Sequence, residues 1–118
     1  MNISFIAELA QGYEGKPYQA LQLIKSAKLA DANYVKIQIV FPEELSTKDY
    51  YAYKIFESLK MKKTEWLKIK KYSDKLKIKL ITEVFGHKSI EVAKYINSKF
   101  FKIHPTDINN FDLISKIK

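Results

Sequence analysis

Charged and amide side chains interrupt three apolar segments of this 118-residue sequence, and they are the residues best suited to chemistry. They are Glu8 in the run 3–8, Lys36 and Gln38 in the run 34–39, and Lys102 in the run 100–103. Because an isolated charge is costly to remove from water, a buried segment keeps such a residue only if it is paired, exposed or used. Two ammonium groups with an amide between them are suited to holding a small dianion that carries a carboxylate and a phosphate.

The elements that must position these residues follow from the apolar periodicity, which switches repeatedly between strand and helix. Strands are predicted over 3–8, 34–41, 78–84 and 100–104, and helices over 18–32, 64–76, 87–97 and 109–117. The segment 43–62 is interpreted as a long excursion with some helix in it. Strict alternation of strand and helix predicts parallel strands joined by crossovers, and therefore an α/β fold.

Chain length limits which α/β fold is possible. Four βα units fit in 118 residues, whereas a complete (β/α)8 barrel takes about 250 residues. The chain is therefore predicted to be one domain, 1–118, forming a parallel (βα)4 half of a TIM-type barrel. An open flavodoxin-like sheet is the alternative at this length.

Both folds gather ligands at the carboxyl ends of their strands. Side chains two apart on a strand share a face, so Lys36 and Gln38 point the same way. If that face is the barrel interior, one mouth of the barrel brings together Glu8, Lys36, Gln38, Thr82 or Glu83, and Lys102.

Composition narrows the classes of partner. The formal net charge is +8, and every basic residue is lysine; without arginine's planar fork, specific nucleic-acid recognition is disfavoured. The absence of cysteine suits a reducing compartment. With neither a leader sequence nor an apolar run of membrane-spanning length, a cytoplasmic protein without membrane contact is expected.

Five motifs in order resemble the N-acetylneuraminate (sialic acid) synthases and their pseudaminic and legionaminic acid relatives. The segments that carry the resemblance are 7–15 (AELAQGYEG), 32–38 (ANYVKIQ), 64–66 (TEW), 82–85 (TEVF) and 101–103 (FKI). The chain is thus similar to the N-terminal half of the barrel of that family, in a truncated form.

The resemblance implies an activity and a set of site residues. The family condenses phosphoenolpyruvate with an N-acetylated amino sugar in nonulosonic acid (surface carbohydrate) biosynthesis, using a divalent metal such as Mn²⁺ or Mg²⁺. It implies a catalytic role for Glu8, close to the sugar and the reacting centre. The substrate-binding residues that it implies are Lys36, Gln38, Thr82, Phe85 and Lys102.

Some positions depart from the family pattern. The threonine that the family places near the phosphate falls on Glu83, and Thr82 replaces it only if the strand slips by one residue, which would turn the side chain to the other face. The metal-binding histidines of the family lie in the half of its barrel that is missing here, so no metal ligand is expected in this chain. His87 and His104 are interpreted as loop or strand-end histidines without a metal.

Two classes of function therefore stay open. One is a synthase-like protein that acts with a complementing second half or as a homo-oligomer, since a half-barrel leaves its first and fourth strands as open edges. The other is a non-catalytic binding or assembly module.

Overall fold

A computed structural model describes residues 3–118 of the chain. The elements in chain order are β1 (Ile6–Ala10), α1 (Pro17–Leu29), β2 (Tyr34–Gln38), α2 (Pro42–Leu45), α3 (Tyr53–Ser58), α4 (Lys63–Lys75), β3 (Lys79–Val84), α5 (His87–Tyr95), β4 (Phe100–Ile103), a 3₁₀ turn (Pro105–Asp107) and α6 (Phe111–Ile117). The predicted alternation of strand and helix is confirmed, and the excursion at 43–62 holds the two short helices α2 and α3.

The four strands form one parallel sheet in the order β1-β2-β3-β4. The apolar core lies on one face of it, where side chains such as Val35, Ile37 and Val84 are fully buried beneath Trp66 and other residues of the helices. A flavodoxin-like sheet would have helices on both faces and a non-sequential strand order. The fold is therefore the α/β half-barrel, and the flavodoxin-like alternative is wrong.

The same tight turn joins three helices to the strands that follow them. Asp31, Lys77 and Asn97 each adopt a left-handed backbone conformation, with φ of 57°, 55° and 56°. In each turn the next residue donates its N–H to a carbonyl five residues earlier, as Ile78 does to Ser73 at 3.1 Å. This is the Schellman arrangement that ends α-helices, and it brings β2, β3 and β4 into the sheet in the same way.

The first predicted strand is less buried than its sequence suggests. Ile3, Phe5 and Ile6 are 62%, 65% and 55% exposed, and the strand begins at Ile6 rather than at residue 3. The expectation of a buried run was wrong because β1 pairs only with β2 among the described strands. In addition, no helix within residues 3–118 covers the face on which Ile6 lies.

The helix α2 ties the loop after β2 to the start of α5. The Glu44 carboxylate accepts the backbone N–H of Lys88 at 2.6 Å and that of Ser89 at 3.3 Å. A Cβ at Gly86 would lie 2.6 Å from this carboxylate, so a larger residue there would displace the Glu44 side chain. The contact fixes the loop that follows the carboxyl end of β3.

The aromatic residues between positions 50 and 56 are partly packed and partly exposed. The rings of Tyr50 and Phe56 stack with their centroids 6.2 Å apart, whereas Tyr51 is 85% exposed.

Within residues 3–118, no helix combines the length and the apolar character needed to cross a membrane.

Candidate anion site at the carboxyl ends of the strands

The strand register brings the charged residues to two neighbouring levels on the inner face of the sheet, opposite the helices. Glu8 pairs with Lys36, Gln38 pairs with Glu83, and Glu83 pairs with Lys102. Residues paired in register on parallel strands share a face, so these side chains point to the same side. The convergence expected from the sequence is present, and Glu83 rather than Thr82 is its member on β3.

Glu83 is the centre of this group. Its side chain is fully buried and accepts hydrogen bonds from Lys36 Nζ and Lys102 Nζ. Gln38 Nε2 donates to it at 3.1 Å, and His104 Nδ1 lies 3.0 Å from its Oε1. We refer to Glu83, Lys36, Gln38, Lys102 and His104 as the Glu83 cluster.

Glu8 extends the cluster at its β1 side. Its Oε2 lies 2.7 Å from Lys36 Nζ, and its Oε1 accepts the backbone N–H of Ala10 at 2.9 Å. Lys36 therefore bridges two carboxylates, one buried and one half exposed. With both lysines and both glutamates charged, the group carries no net charge unless His104 is protonated.

The electrostatics of the cluster keep Glu83 ionised. Burial opposes its charged form, but the hydrogen bonds from Lys102, Lys36, His104 and Gln38 outweigh burial and lower the pKa of Glu83 to about 2. For Lys36, burial likewise opposes the charge, but hydrogen bonds to Glu8 and Glu83 raise the pKa of the ammonium group above its ordinary value. Both partners are therefore ionised at neutral pH.

The structure does not bring Thr82 together with the other predicted site residues. Thr82 is fully buried on the helix side of the sheet, where its Oγ1 lies 2.9 Å from Ser98 Oγ and 3.3 Å from the Phe100 carbonyl oxygen. Phe85 does reach the site, since its ring centroid lies 5.5 Å from that of His104.

A cleft of about 370 Å³ adjoins the cluster at the carboxyl ends of the strands. It is lined by Gln11, Gln38, Leu45, Ser46, Thr47, Tyr50, Phe56, Phe85 and His104. Gln38 and His104 belong both to the cleft wall and to the Glu83 cluster. The Oγ of Ser46 is buried with no hydrogen-bond partner among the described residues, which leaves it available to a ligand in the cleft.

Sequence reasoning left Glu83 and Thr82 as alternatives on β3 and missed His104, which was interpreted as a loop or strand-end histidine. In the structure Glu83 and His104 are in contact within the site. The register of the strands decides between the two β3 residues, since Glu83 is the one paired with Gln38 and Lys102. Tyr13, within the first of the five motifs, is a core residue whose ring centroid lies 5.3 Å from that of Trp66.

The described residues do not fit a metal ion. Residues 3–118 contain no group of three or more histidine, cysteine, aspartate or glutamate side chains placed to hold one. The two carboxylates of the site, Glu8 and Glu83, are both bonded to lysine.

Two curated proteins match nearly the whole chain. An uncharacterised protein of Methanocaldococcus jannaschii is 28% identical over 112 residues, a match that covers 95% of this chain and 33% of the relative. The N-acetylneuraminate-9-phosphate synthase of Drosophila melanogaster is 25% identical over 128 residues and is covered over 34% of its length. The chain spans about a third of the length of these curated relatives.

Solved structures and a family match agree with these relatives. The N-acetylneuraminic acid (sialic acid) synthetase of Leptospira borgpetersenii superposes with a TM-score of 0.89 and 28% identity, over 98% of this chain and 41% of that one. A spore coat polysaccharide biosynthesis protein of Bacillus subtilis gives a TM-score of 0.77 and 25% identity, over 98% of this chain and 33% of its own. Residues 23–118 match the NeuB family. The resemblance found in the motifs is thus confirmed, and the chain belongs to the NeuB family.

Proposed function

We propose that this chain supplies the anion-binding strands of a synthase that condenses phosphoenolpyruvate with an N-acetylated amino sugar in the biosynthesis of nonulosonic acids. The observation that carries the proposal is the convergence of Lys36 and Lys102 on Glu83, with Gln38 beside them on the inner face of the sheet. The names of the Drosophila and Leptospira relatives support a sugar acid as the product class.

The anion is expected to enter through the cleft. Gln38 and His104 line it, and the two lysines lie directly behind them on Glu83. Lys102 keeps 35% of its side chain exposed and Lys36 keeps 13%, so Lys102 is the more accessible ammonium group. A carboxylate or phosphate in the cleft would thus contact an amide and an imidazole, and the two lysine ammonium groups would attract it electrostatically.

The rest of the cleft suits a sugar. Tyr50, Phe56 and Phe85 provide aromatic faces, while Ser46 and Thr47 provide hydroxyl groups. Binding sites for small molecules combine apolar walls with a few placed polar groups in cavities of about 300–1,000 Å³. In this proposal Glu8, at the β1 side, is the acid near the sugar carbonyl.

The metal of the family is assigned to residues outside this chain. Because Glu8 and Glu83 are bonded to lysine, they offer no free carboxylate pair to Mn²⁺ or Mg²⁺, which prefer oxygen ligands. We therefore place the metal ligands on the structure that completes the barrel.

A second βα half is the partner that the sheet requires. Among the described strands, β1 and β4 each pair on one side only, and the inner face exposes Ile6 at 55% and Phe100 at 38%. Open strand edges and apolar faces of this kind associate with other chains. The partner is either a second copy of this chain or a complementing half.

Calorimetric titration of the 118-residue protein with phosphoenolpyruvate tests the substrate assignment. Lys36→Ala and Lys102→Ala are each expected to abolish measurable binding, because each removes a cation and leaves Glu83 with one partner fewer. Lys79→Ala is the matched control: Lys79 lies on the same face of β3 at its other end, beside Tyr34. Unchanged affinity in both cluster variants would refute the assignment.

One observation favours a non-catalytic module instead. Glu83 lies between the two lysines, where it neutralises the charge that a dianion requires. If Glu83 makes the cluster purely structural, the wild-type protein will give no heat with phosphoenolpyruvate. The only effect of Lys36→Ala will then be a lower free energy of unfolding.

A further inference from the structure

We propose that His104 is a third cation of the anion site, one that binds the anion through Nε2 and takes up a proton as the anion enters. This inference rests on the proposed function, since it concerns the same cleft and the same class of ligand. It assigns a role to a residue for which the sequence motifs gave none.

The orientation of the imidazole is set by Glu83. Nδ1 lies 3.0 Å from Glu83 Oε1, and an ionised carboxylate only accepts hydrogen bonds, so Nδ1 carries a proton. In the neutral ring Nε2 then bears the lone pair. Nε2 has no hydrogen-bond partner among residues 3–118, and the ring lines the cleft.

The charge balance of the cluster explains why a proton is needed. The charged groups that face His104 from the neighbouring strands are Glu83 on β3 and Lys102 on β4, with Lys36 on β2 and Glu8 on β1 behind them. Two lysines and two glutamates sum to zero, so a dianion entering the cleft finds no excess positive charge.

His104 is the described cleft residue that can supply that charge near neutral pH. The other titratable side chain in the lining is that of Tyr50, and a phenol cannot become positive. Histidine changes its charge between about pH 5 and 8 when its surroundings change. With a proton on Nε2, the imidazolium donates one hydrogen bond to Glu83 and a second to the anion, which is a charge-assisted bond.

His87, the other histidine of the chain, is a matched control. It lies at the start of α5, with Nε2 2.9 Å from Lys116 Nζ and 3.5 Å from Asp112 Oδ2. It is more than half exposed and does not line the cleft. A general effect of added anion on histidine protonation would therefore affect both residues.

The test is calorimetric titration of the wild-type chain with phosphoenolpyruvate at pH 7.5, in two buffers of different ionisation enthalpy. The difference in heat gives the number of protons taken up with the anion, which we expect to be greater than zero for the wild type. His104→Gln should bind about tenfold more weakly and take up no proton, whereas His87→Gln should match the wild type. A charge-assisted hydrogen bond accounts for a loss of that size.

A second measurement uses only the wild-type protein, so its outcome does not depend on whether a variant folds. At pH 7.5 the imidazole proton resonances of His104 should move toward their protonated positions as phosphoenolpyruvate is added, while those of His87 stay in place. Binding without proton uptake, or equal uptake in His104→Gln, overturns the role of His104 and leaves the proposed function intact. Absence of binding in the wild type overturns both.

Discussion

Replacement of Glu83 by glutamine isolates the energetic contribution of the cluster. Glutamine keeps the size of the side chain and an acceptor oxygen but removes the charge that Lys36 and Lys102 share. The pKa of Glu83 is lowered from 4.5 to about 2, which at about 1.4 kcal/mol per pKa unit stabilises the folded state by at most about 3.5 kcal/mol. Solvent around the partly exposed Lys102 and His104 screens the interaction, so we expect a loss of about 2 kcal/mol in Glu83→Gln at pH 7.

The pH dependence of that loss identifies its cause. Because the pKa of Glu83 is depressed in the folded state, its contribution is complete above the unfolded value near 4.5 and disappears as the pH falls toward about 2. The difference in unfolding free energy between wild type and Glu83→Gln should therefore be about 2 kcal/mol at pH 7. It should shrink steadily between pH 4.5 and 2.5.

Urea denaturation measures this difference directly. The single tryptophan, Trp66, is 1% exposed in the core and reports unfolding by its fluorescence. Glu43→Gln is the control, since Glu43 forms an exposed ion pair with Lys88 and should change stability by less than about 0.5 kcal/mol. A Glu83→Gln difference that is the same at pH 7 and pH 3 would refute the assignment of the lost energy to the charge of Glu83.

Three further predictions follow from other parts of the fold. Thr82→Val should destabilise the protein by about 1–2 kcal/mol, because it breaks the hydrogen bond to Ser98. It should leave the affinity for phosphoenolpyruvate unchanged in calorimetry, and weaker binding would show that Thr82 belongs to the site. Gly15→Ala should destabilise the protein by more than about 2 kcal/mol in urea denaturation, since φ is +68° and the new Cβ would lie 2.0 Å from the Ser58 carbonyl oxygen. Gly12→Ala is the control and should lower stability less, because the nearest atom to its Cβ would be 3.0 Å away. Equal losses of stability in the two variants would contradict the strain argument. Tyr50→Ala should weaken binding of an N-acetylated amino sugar about tenfold in a nuclear magnetic resonance titration. Tyr51→Ala, at an 85% exposed position, should not weaken it. Equal effects of the two variants would contradict the assignment of the cleft as the sugar site.

Much of the fold was predictable because it depends on local patterns. The alternation of period-2 and helical segments predicted four parallel strands and the helices between them, and Pro17 is indeed in the first turn of α1. The exposure of Ile3 and Phe5 was not predictable, since it depends on what lies beside β1 and on its inner face. Apolar periodicity records that a segment can be buried, not whether a neighbour is present to bury it.

Most residues of the site were predicted from the sequence, but the contacts between them were not. Lys36, Gln38 and Lys102 were identified because a charge in an apolar strand requires a reason. Their reason is Glu83, a residue that pattern comparison treated as a departure; the strand register shows it to be the shared partner. Residues separated by 47 and 19 positions in sequence meet there, and such meetings follow from tertiary register rather than from local spacing.

The central claim is that small anions bind at the carboxyl ends of the strands and not elsewhere on this lysine-rich surface. An amide chemical-shift titration with phosphoenolpyruvate tests it most directly, because the opposite end of the sheet carries its own lysines, Lys77, Lys79 and Lys99, around a second cavity. Our account predicts the largest shifts at Gln38, Phe85 and His104, with saturation at a common concentration. Shifts confined to residues 77–80 and 99–100, or spread evenly over the surface lysines, would contradict it.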